Sequence, residues 1–415
     1  TEQREDIEDK KEILAELDKD ISPYKHLCNL FTHYLLGELK ENYLLLQIEN
    51  WNKLDKTEKL PTSLNSKNFF HWDLEFPDVF NGNNPGFDLV IGNPPYVEYY
   101  KVKYKIFNYK TKSCNNLYAF VVEKSYRLLK KSGYFGMILQ QPAICTDRMI
   151  PLQKLFLEKE IIFISNFADR PSKLFKSLES SRAVIVISNN YKGNKHLYTT
   201  DYIKFKAKDR KHVFNKIKYF DSKDLAINGA LPKVGSSIKY SILKKIYSNK
   251  KYLGDYCSNI PTNYKIYYYN APRYFIPCQL MKPSKKLKKL YVIREDHLIP
   301  IFSILNSSLF YLWMDTYFAG RTGFCLREKD ILGFPINLHF NKSNGYNLKI
   351  VALKLNEIYE RYEKNRGDLI YKFKGFLKKS KYVIDKIDNT LGNHYDFNKE
   401  EIKYIKNYDI DFRIN

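Results

Sequence analysis

Four consecutive residues, Asn93-Pro94-Pro95-Tyr96, place an amide and a phenol on either side of two prolines. They follow the short apolar run Leu89 to Ile91, which predicts a strand buried on both faces that stops at Gly92. The prolines fix φ and remove two backbone donors, so the Asn93 side chain and nearby carbonyls become the hydrogen-bonding groups of a stiff loop. Such a loop is suited to holding an exocyclic amine and stacking a flat ring, at the sheet edge where open α/β sheets bind ligands.

The elements around this loop follow from hydrophobic spacing. Amphipathic helices are predicted between Ile7 and Ile48. After the loop, a helix from Asn116 to about Lys130 is predicted to end in the cations and glycine of 130–133. The expected later elements are a strand at 134–139, a helix at 151–158 and strands at 161–167 and 183–188. Strand, loop, helix and strand in this order are typical of the second half of a doubly wound α/β sheet.

The four-residue motif resembles the catalytic Asn/Asp-Pro-Pro-Tyr motif of DNA adenine-N6 methyltransferases, which residues 93–96 match position for position. The likeness continues in Asn-Leu-Tyr at 116–118, and Phe-His-Trp at 70–72 is similar to a signature of type IIG restriction-modification enzymes of the gamma class. The resemblance implies a Rossmann-like methyltransferase sheet, and it implies site-specific methylation of an extruded adenine with S-adenosylmethionine as the methyl donor. One departure is Gln140-Gln141-Pro142, where the family's strand more often ends directly in a proline. From the residues alone, the alternative is a strand followed by a turn that contains two prolines.

The resemblance also assigns roles to single residues. It implies that the Asn93 side-chain oxygen and the Pro94 carbonyl accept hydrogen bonds from the adenine amino group. Tyr96 and Phe175 would hold the extruded base between two rings, because a base taken out of a duplex loses its stacking neighbours. Asp73 or Glu75 would meet the adenine of the cofactor. The alternatives are a core phenylalanine at a loop edge and an acid that is only solvated.

Charge indicates a polyanionic partner, for which we expect double-stranded DNA. Lysine and arginine number 69 against 46 acids, a formal net charge of +23, which favours such a partner over a small neutral substrate. Residues 201–300 hold 22 Lys or Arg against 7 acids, so +15 of the excess lies there. A general bias toward Lys, Asn and Tyr explains part of the excess, but its concentration indicates nucleic-acid contact.

The DNA contacts are predicted in a target-recognition domain, where cations alternate with aromatics and turn residues. The candidates are Lys265, Arg273, Lys282, Lys285, Lys286 and Arg321. Tyrosines 264, 267, 268, 269 and 274 could line a groove, with sheet packing as the alternative. Residues 305–310 and 330–336 resemble the recurring half of such a domain, a helix followed by a strand that ends in Pro-Ile.

Four regions are predicted along the chain: a helical segment at 1–68, the methyltransferase catalytic half at 69–190, an α+β DNA target-recognition domain at 191–345 and C-terminal helices at 346–415. The six cysteines are too widely spaced for a zinc site or a disulfide framework, so no metal is expected. We expect a reduced, cytoplasmic setting without a membrane partner, because no apolar run approaches the roughly 20 residues that span a bilayer.

The cofactor-binding motif of such enzymes is not found in this sequence. It is a glycine-rich turn after a strand, but the glycines before Phe87 are Gly37, Gly82 and Gly86, and none follows an apolar strand. We therefore expect the C-terminal portion of a larger enzyme, or a subunit, with the cofactor motif and a nuclease upstream or on another polypeptide. The alternative is a sequence-specific DNA-binding module that is catalytically silent alone. Methylation of RNA or of a protein glutamine is disfavoured by the basic second half.

Overall fold

A computed structural model describes residues 2–50, 69–175, 182–189, 194–270, 276, 278–282, 287–320, 326–366 and 373–413. Internal contacts divide the chain into two units. The first comprises residues 1–136 and 189–191, and the second comprises residues 137–188 and 192–415.

The first unit is mainly helical around one complete strand. Its elements are α1 (Glu2–Leu35), α2 (Glu41–Asn50), α3 (Trp72–Glu75), α4 (Pro77–Phe80), β1 (Phe87–Gly92) and α5 (Leu117–Leu128), and β2 (Leu129–Gln140) begins here and ends in the second unit. α1 is one helix that continues through Pro23. Aromatic rings hold Phe87 at the start of β1: Trp72, Phe76 and Phe80 each lie edge-on to Phe87, with ring centroids 5.3–5.7 Å apart, and Phe70 packs on Trp72.

The prediction that β1 is buried on both faces was wrong. Leu89 and Ile91 alternate onto the same face, and their side chains are 55% and 69% exposed. The physical reason is that burial depends on what packs over each face of a strand: Val90 on the opposite face is half-buried, whereas the face of Leu89 and Ile91 is exposed. A β-branched run predicts a strand, but it does not predict how many elements cover that strand.

The predicted glycine cap after α5 was also wrong. α5 ends at Leu128 and the chain passes directly into β2, so Gly133 lies within a strand. A Cβ at Gly133 would stand 2.9 Å from the Phe87 carbonyl oxygen. The requirement for glycine is stronger at position 86, because the φ of Gly86 is +115° and a Cβ there would stand 2.6 Å from the Leu129 backbone. Both glycines therefore allow β1 and β2 to approach closely.

The second unit continues the α/β arrangement. After α6 (Pro142–Cys145) and α7 (Ile150–Leu157) come β3 (Ile161–Phe167), β4 (Ala183–Asn189), β5 (His196–Ile203) and β6 (Phe220–Asp221). These four strands are neighbours in the order β4-β3-β5-β6. β5 runs parallel to β3, with Ile161 opposite His196, and antiparallel to β6. The sequence pattern missed β5, so the sheet continues beyond residue 190, where the predicted catalytic half stops.

A second, antiparallel sheet and a helical core complete this unit. The strands β7 (Cys257–Ser258), β8 (Tyr264–Tyr268), β9 (Cys278–Gln279) and β10 (Lys288–Val292) follow α8 (Ser237–Tyr247) and lie in the order β7-β10-β8-β9. The remaining helices are α9 (Glu295–Leu305), α10 (Ser308–Phe318), α11 (Glu328–Leu332), α12 (Lys342–Arg366), α13 (Phe373–His394), α14 (Lys399–Asn407) and α15 (Ile410–Arg413). Every residue of α10 is buried, so this helix is the centre of the largest apolar core.

The predicted strand at 330–336 was wrong. Residues 328–332 form α11, because the Asp330 carboxylate accepts hydrogen bonds from the backbone and guanidinium of Arg327 at the start of that helix. Only Pro335 makes a β-bridge, to Tyr252. No single described helix is long and apolar enough to cross a membrane, although α9 and α10, bent by 66°, pass the length and composition test as a pair.

Candidate active site

The loop after β1 presents the residues that the sequence singled out. Asn93 and Pro95 are exposed, Pro94 is buried and Tyr96 is half-buried. The strand stops here because two successive prolines supply no N–H to a sheet ladder. The amide therefore projects from the end of a strand and is not packed inside the protein.

Asn93 and Tyr96 are joined directly. The Tyr96 hydroxyl donates a hydrogen bond to Asn93 Oδ1 at 2.8 Å. Burial raises the pKa of Tyr96 to about 12, so the phenol keeps its proton at neutral pH. An amide oxygen has a second lone pair. The contact therefore orients the Asn93 carbonyl and leaves it able to accept one more hydrogen bond.

The loop is pinned to the start of α5. Asn116 caps this helix by accepting a hydrogen bond from the Tyr118 backbone N–H at 3.2 Å, and its amide donates to Glu98 at 3.3 Å. The Leu117 N–H donates to the Val97 carbonyl at 2.9 Å. The Tyr96 ring meets Tyr118 edge-on, with centroids 6.2 Å apart. These contacts hold the loop in one conformation before any ligand arrives.

A buried carboxylate fixes the next stretch of chain onto the same helix. Glu123 accepts hydrogen bonds from the Thr111 N–H at 2.9 Å, the Thr111 hydroxyl at 2.8 Å and the Lys110 N–H at 3.0 Å, and it contacts Arg127. Burial alone would raise its pKa, but these donors outweigh burial and lower the pKa of Glu123. Glu123 is therefore charged at neutral pH and acts as a structural anchor.

The acids predicted to meet a cofactor occupy the short helix α3. The Glu75 carboxylate lies 3.4 Å from the Lys25 ammonium, whereas Asp73 is exposed. The adjoining His71 donates a hydrogen bond from Nε2 to Asn29 Oδ1 of α1 at 2.7 Å. The segment is thus fastened to α1, and Asp73 is the more open of the two acids.

A cavity of about 700 Å³ also lies in the first unit. Its walls are mainly apolar and include Phe31 of α1, Trp72, Val90 of β1, Pro95 and Phe120 of α5. Its volume is within the range of ligand pockets. Pro95 places this opening beside the loop, and neither Asn93 nor Tyr96 contributes to its lining.

Phe175, the predicted second stacking ring, belongs to the second unit. It is half-buried in the loop between β3 and β4. Arg210 holds this loop, since it donates to Ser172 Oγ at 2.6 Å and to the Lys173 carbonyl at 2.9 Å. An Arg182–Asp169 ion pair of 3.1 Å lies where the loop meets the strands. Sequence reasoning missed Arg210, because its partners are 37 and 38 residues earlier and no local pattern joins them.

The predicted DNA contacts are described only in part. Lys265 is half-buried on β8, opposite Tyr291 of β10, and Lys282 is exposed after β9. Tyr268 is buried, as expected for sheet packing, whereas Tyr264 and Tyr267 are partly accessible. Arg273, Lys285, Lys286 and Arg321 lie outside the described residues, as does Tyr274.

Comparison with known proteins gives one family match. Residues 18–175 match the Eco57I restriction-modification methylase family. This segment contains α3, β1, the Asn93 loop and α5, and it ends at Phe175. The match supports a restriction-modification methylase, and therefore a DNA methyltransferase, as the general class. No curated protein matches the chain.

Two solved structures are similar in part. The type IIL restriction-modification enzyme MmeI in complex with DNA is 13% identical, with a TM-score of 0.46, over 77% of this chain and 56% of that one. A nuclease-deletion mutant of the type ISP restriction-modification enzyme LlaGI, in complex with a DNA substrate mimic, is 13% identical with a TM-score of 0.38, over 66% of this chain and 35% of that one. This chain thus spans little more than half the length of the first and about a third of the second.

Proposed function

We propose that this chain is the catalytic and DNA-recognising portion of a site-specific adenine-N6 DNA methyltransferase of the type IIG, gamma-class kind. The carrying observation is the outward-facing Asn93 amide, oriented by Tyr96 at the end of β1. The family match over residues 18–175 supports the general class. The +15 charge excess of residues 201–300 supports a DNA partner.

In the proposed mechanism an adenine leaves the duplex and enters the Asn93 loop. Asn93 Oδ1 and the Pro94 carbonyl accept hydrogen bonds from its exocyclic amino group, which raises electron density on that nitrogen. Tyr96 stacks on one face of the base, and Phe175 is the proposed second ring. Because the loop is already held against α5, little reorganisation accompanies the reaction.

S-adenosylmethionine would supply the methyl group as an electrophilic sulfonium methyl. The residues present do not fit a complete site for it. Gly37 lies after α1, Gly82 lies in a loop, and Gly86 is occupied by its close approach to β2. We propose that an upstream region or a separate subunit provides the glycine-rich turn, together with any nuclease. Among the described residues β1 pairs with β2 alone, and Leu89 and Ile91 are exposed; both observations favour this proposal, since they leave room for a further strand.

The main test is Asn93→Ala in the complete protein that contains this chain. We expect kcat for transfer of labelled methyl groups to duplex DNA to fall by about 10²–10³-fold, the usual loss for one preorganised polar group. DNA affinity should stay within about twofold. Asn83→Ala, an exposed asparagine of the same unit outside the loop, is the matched control. Unchanged methylation by Asn93→Ala would refute the catalytic assignment.

The second candidate is a DNA-binding module without activity of its own, favoured by the missing glycine-rich turn. Calorimetry separates the two. Heat of S-adenosylmethionine binding to the complete protein, with or without DNA, supports the enzyme, whereas DNA binding by the complete protein without any cofactor heat supports the module.

A further inference from the structure

A row of exposed cations lies on and beside the 3₁₀ helix Ala207–Lys216 in the second unit. We call it the 3₁₀ ridge, and it consists of Lys206, Lys208, Lys211, Lys216 and Lys218. Asp209 is the one acid between residues 206 and 218, and it lies 3.8 Å from Lys216. Among the described residues no carboxylate pairs with the other four lysines. The ridge therefore carries a net positive charge that the fold itself does not neutralise.

The geometry of the 3₁₀ helix explains why Lys208 and Lys211 face outward. With three residues per turn, positions i and i+3 lie above one another. Val213 is fully buried in a cluster with Phe167 and Phe205, which turns the middle of its row inward, whereas Lys216 at the end of that row is exposed. Lys208, Lys211 and Phe214 form a different row, and the Phe214 ring is 54% exposed. Ten residues at about 2.0 Å each give a ridge about 20 Å long.

Arg210 connects the ridge to the loop that carries Phe175. It lies on the inward row with Val213, and its guanidinium donates to Ser172 and to the Lys173 carbonyl. Phe175 follows two residues after Lys173. Any polyanion that binds the ridge therefore lies next to the loop of the proposed base-stacking ring.

We propose that the 3₁₀ ridge binds the phosphate backbone of duplex DNA beside the Phe175 loop. This inference rests on the proposed function and assigns DNA contacts that the sequence pattern did not single out. Duplex DNA presents one negative charge per about 1.7 Å of axis, so a ridge of about 20 Å faces several phosphates at once. The exposed Phe214 between lysines adds an apolar surface for a sugar or an unstacked base. Lysines bind phosphate as point charges without reading sequence, so the ridge adds affinity equally at all sites.

The test compares two triple variants of the full chain. Lys206→Ala, Lys208→Ala and Lys211→Ala together remove three charges from the ridge. Lys342→Ala, Lys349→Ala and Lys399→Ala together remove three exposed charges from α12 and α14 of the same unit. Fluorescence anisotropy measures binding of labelled duplex DNA at salt concentrations from about 0.05 M to about 0.2 M, the range in which counterion release is resolved. Because all six side chains are exposed, both variants should fold, which circular dichroism checks.

The slope of log K against log salt is negative. We expect the ridge variant to reduce its magnitude by about 2.7, since each phosphate contact contributes about 0.9. Its affinity at low salt should fall by at least about tenfold, equally for unrelated sequences. The control variant should change the slope by less than about 0.5. DNA binding with an unchanged slope in the ridge variant, or an equal change in the control, overturns the ridge while leaving the proposed function intact. No salt-dependent DNA binding by the unaltered chain overturns both.

Discussion

Two groups of polar residues in this protein differ in how many of their hydrogen-bonding atoms have partners within the protein. One is the Asn93 loop, where the oxygen of an exposed amide accepts one hydrogen bond from the described residues, donated by Tyr96. The other is the Lys204 cluster, which consists of Lys204, Lys239, Asp315, Tyr408 and Asp409. It lies in the second unit and is almost entirely buried.

Within the Lys204 cluster each charge has its partner. Lys204 donates to Asp315 at 2.9 Å and contacts Asp409, and the Tyr408 hydroxyl donates to the other Asp315 oxygen at 2.7 Å. Lys239 donates to Tyr408 at 2.9 Å. Burial disfavours a charged Lys204, but the two aspartates outweigh burial and raise its pKa. Burial likewise opposes a charged Asp315, and the two lysines outweigh it and lower its pKa.

The difference indicates whether a polar group stabilises the fold or can bind a ligand. The Lys204 cluster joins β5, α8, α10 and the segment before α15, and its hydrogen-bonding capacity is used within the protein. Its removal should therefore affect stability. The Asn93 loop is held by its backbone and by Tyr96 but keeps an acceptor facing outward, so its removal should affect activity and leave stability unchanged.

The largest effect on stability is expected for Asp315→Ala. It leaves Lys204 with one carboxylate and removes the acceptor of Tyr408, which should lower the free energy of unfolding by about 3–5 kcal/mol. Urea denaturation measures the change. Asp88→Ala is the control, because its 2.8 Å ion pair with Lys130 is exposed and should contribute under about 1 kcal/mol. If Asp315→Ala prevents folding, Asp315→Asn is the milder substitution to measure. A loss of stability as small as that of Asp88→Ala would show that burial does not distinguish the Lys204 cluster from an exposed ion pair.

A smaller effect, on activity, is expected for Tyr96→Ala in the complete protein. Loss of one stacking ring should raise the activation free energy for DNA methylation by about 1–3 kcal/mol, which lowers kcat/KM by about 5- to 150-fold. Fluorescence of 2-aminopurine at the target position reports whether the base still leaves the duplex and is held. Tyr100→Ala, a more exposed tyrosine of the same unit at 72%, should change neither quantity. Equal losses in the two variants would argue against a stacking role.

Asp388 is a further buried polar residue, and the pH dependence of stability tests its contribution. Its Oδ1 accepts a hydrogen bond from the Ser308 N–H at 2.9 Å, while Oδ2 is buried without a hydrogen-bond partner among the described residues. Burial raises the pKa of Asp388 to about 6, against an opposing hydrogen bond from Ser308. The protonated form is thus favoured in the folded state, so its contribution is full below about pH 4 and is lost as pH rises through 6.

Asp388→Asn should remove this dependence, because an amide keeps the Ser308 contact without a charge. We expect the unaltered protein to lose about 2–3 kcal/mol of stability from this group between pH 4 and pH 7, and the variant to lose correspondingly less. Guanidinium denaturation across this range provides the measurement. The same pH slope in both proteins would contradict the assignment.

The smallest effect is expected for Tyr96→Phe. This change keeps the ring and removes only the hydrogen bond to Asn93, which should lower kcat by about 2- to 10-fold with KM unchanged. Steady-state methylation kinetics of the complete protein measure both constants. A loss as large as that of Tyr96→Ala would mean that the hydroxyl contributes more than the orientation of Asn93.

Sequence predicted what is local. The residues of the Asn93 loop are contiguous, and α7, β3 and β4 carry uninterrupted apolar patterns, so each was predicted within one or two residues. The burial of β1 was not predicted correctly, because burial depends on what packs against the strand. The end of α5 was misread, because Gly133 serves a close strand approach and not a left-handed cap.

Long-range polar contacts were beyond the sequence pattern. Lys239 meets Tyr408 across 169 positions, and Arg210 meets Ser172 across 38. Neither cation differs in its local sequence from the many other lysines and arginines of this chain. The 3₁₀ ridge could be predicted in part, since its lysines recur at short intervals, but the outward orientation of Lys208 and Lys211 follows from the burial of Val213.

The exposed side of β1 also affects how this chain behaves when it is produced alone. Within the described part of the chain one edge of β1 has no strand neighbour, and a row of backbone amides next to two exposed aliphatic side chains is a template for self-association. Asp88, at 85% side-chain exposure, is the neighbouring charge that opposes it. Replacing Leu89 and Ile91 by threonine should therefore delay precipitation at high concentration while leaving the strand intact, since threonine keeps the β-branched shape.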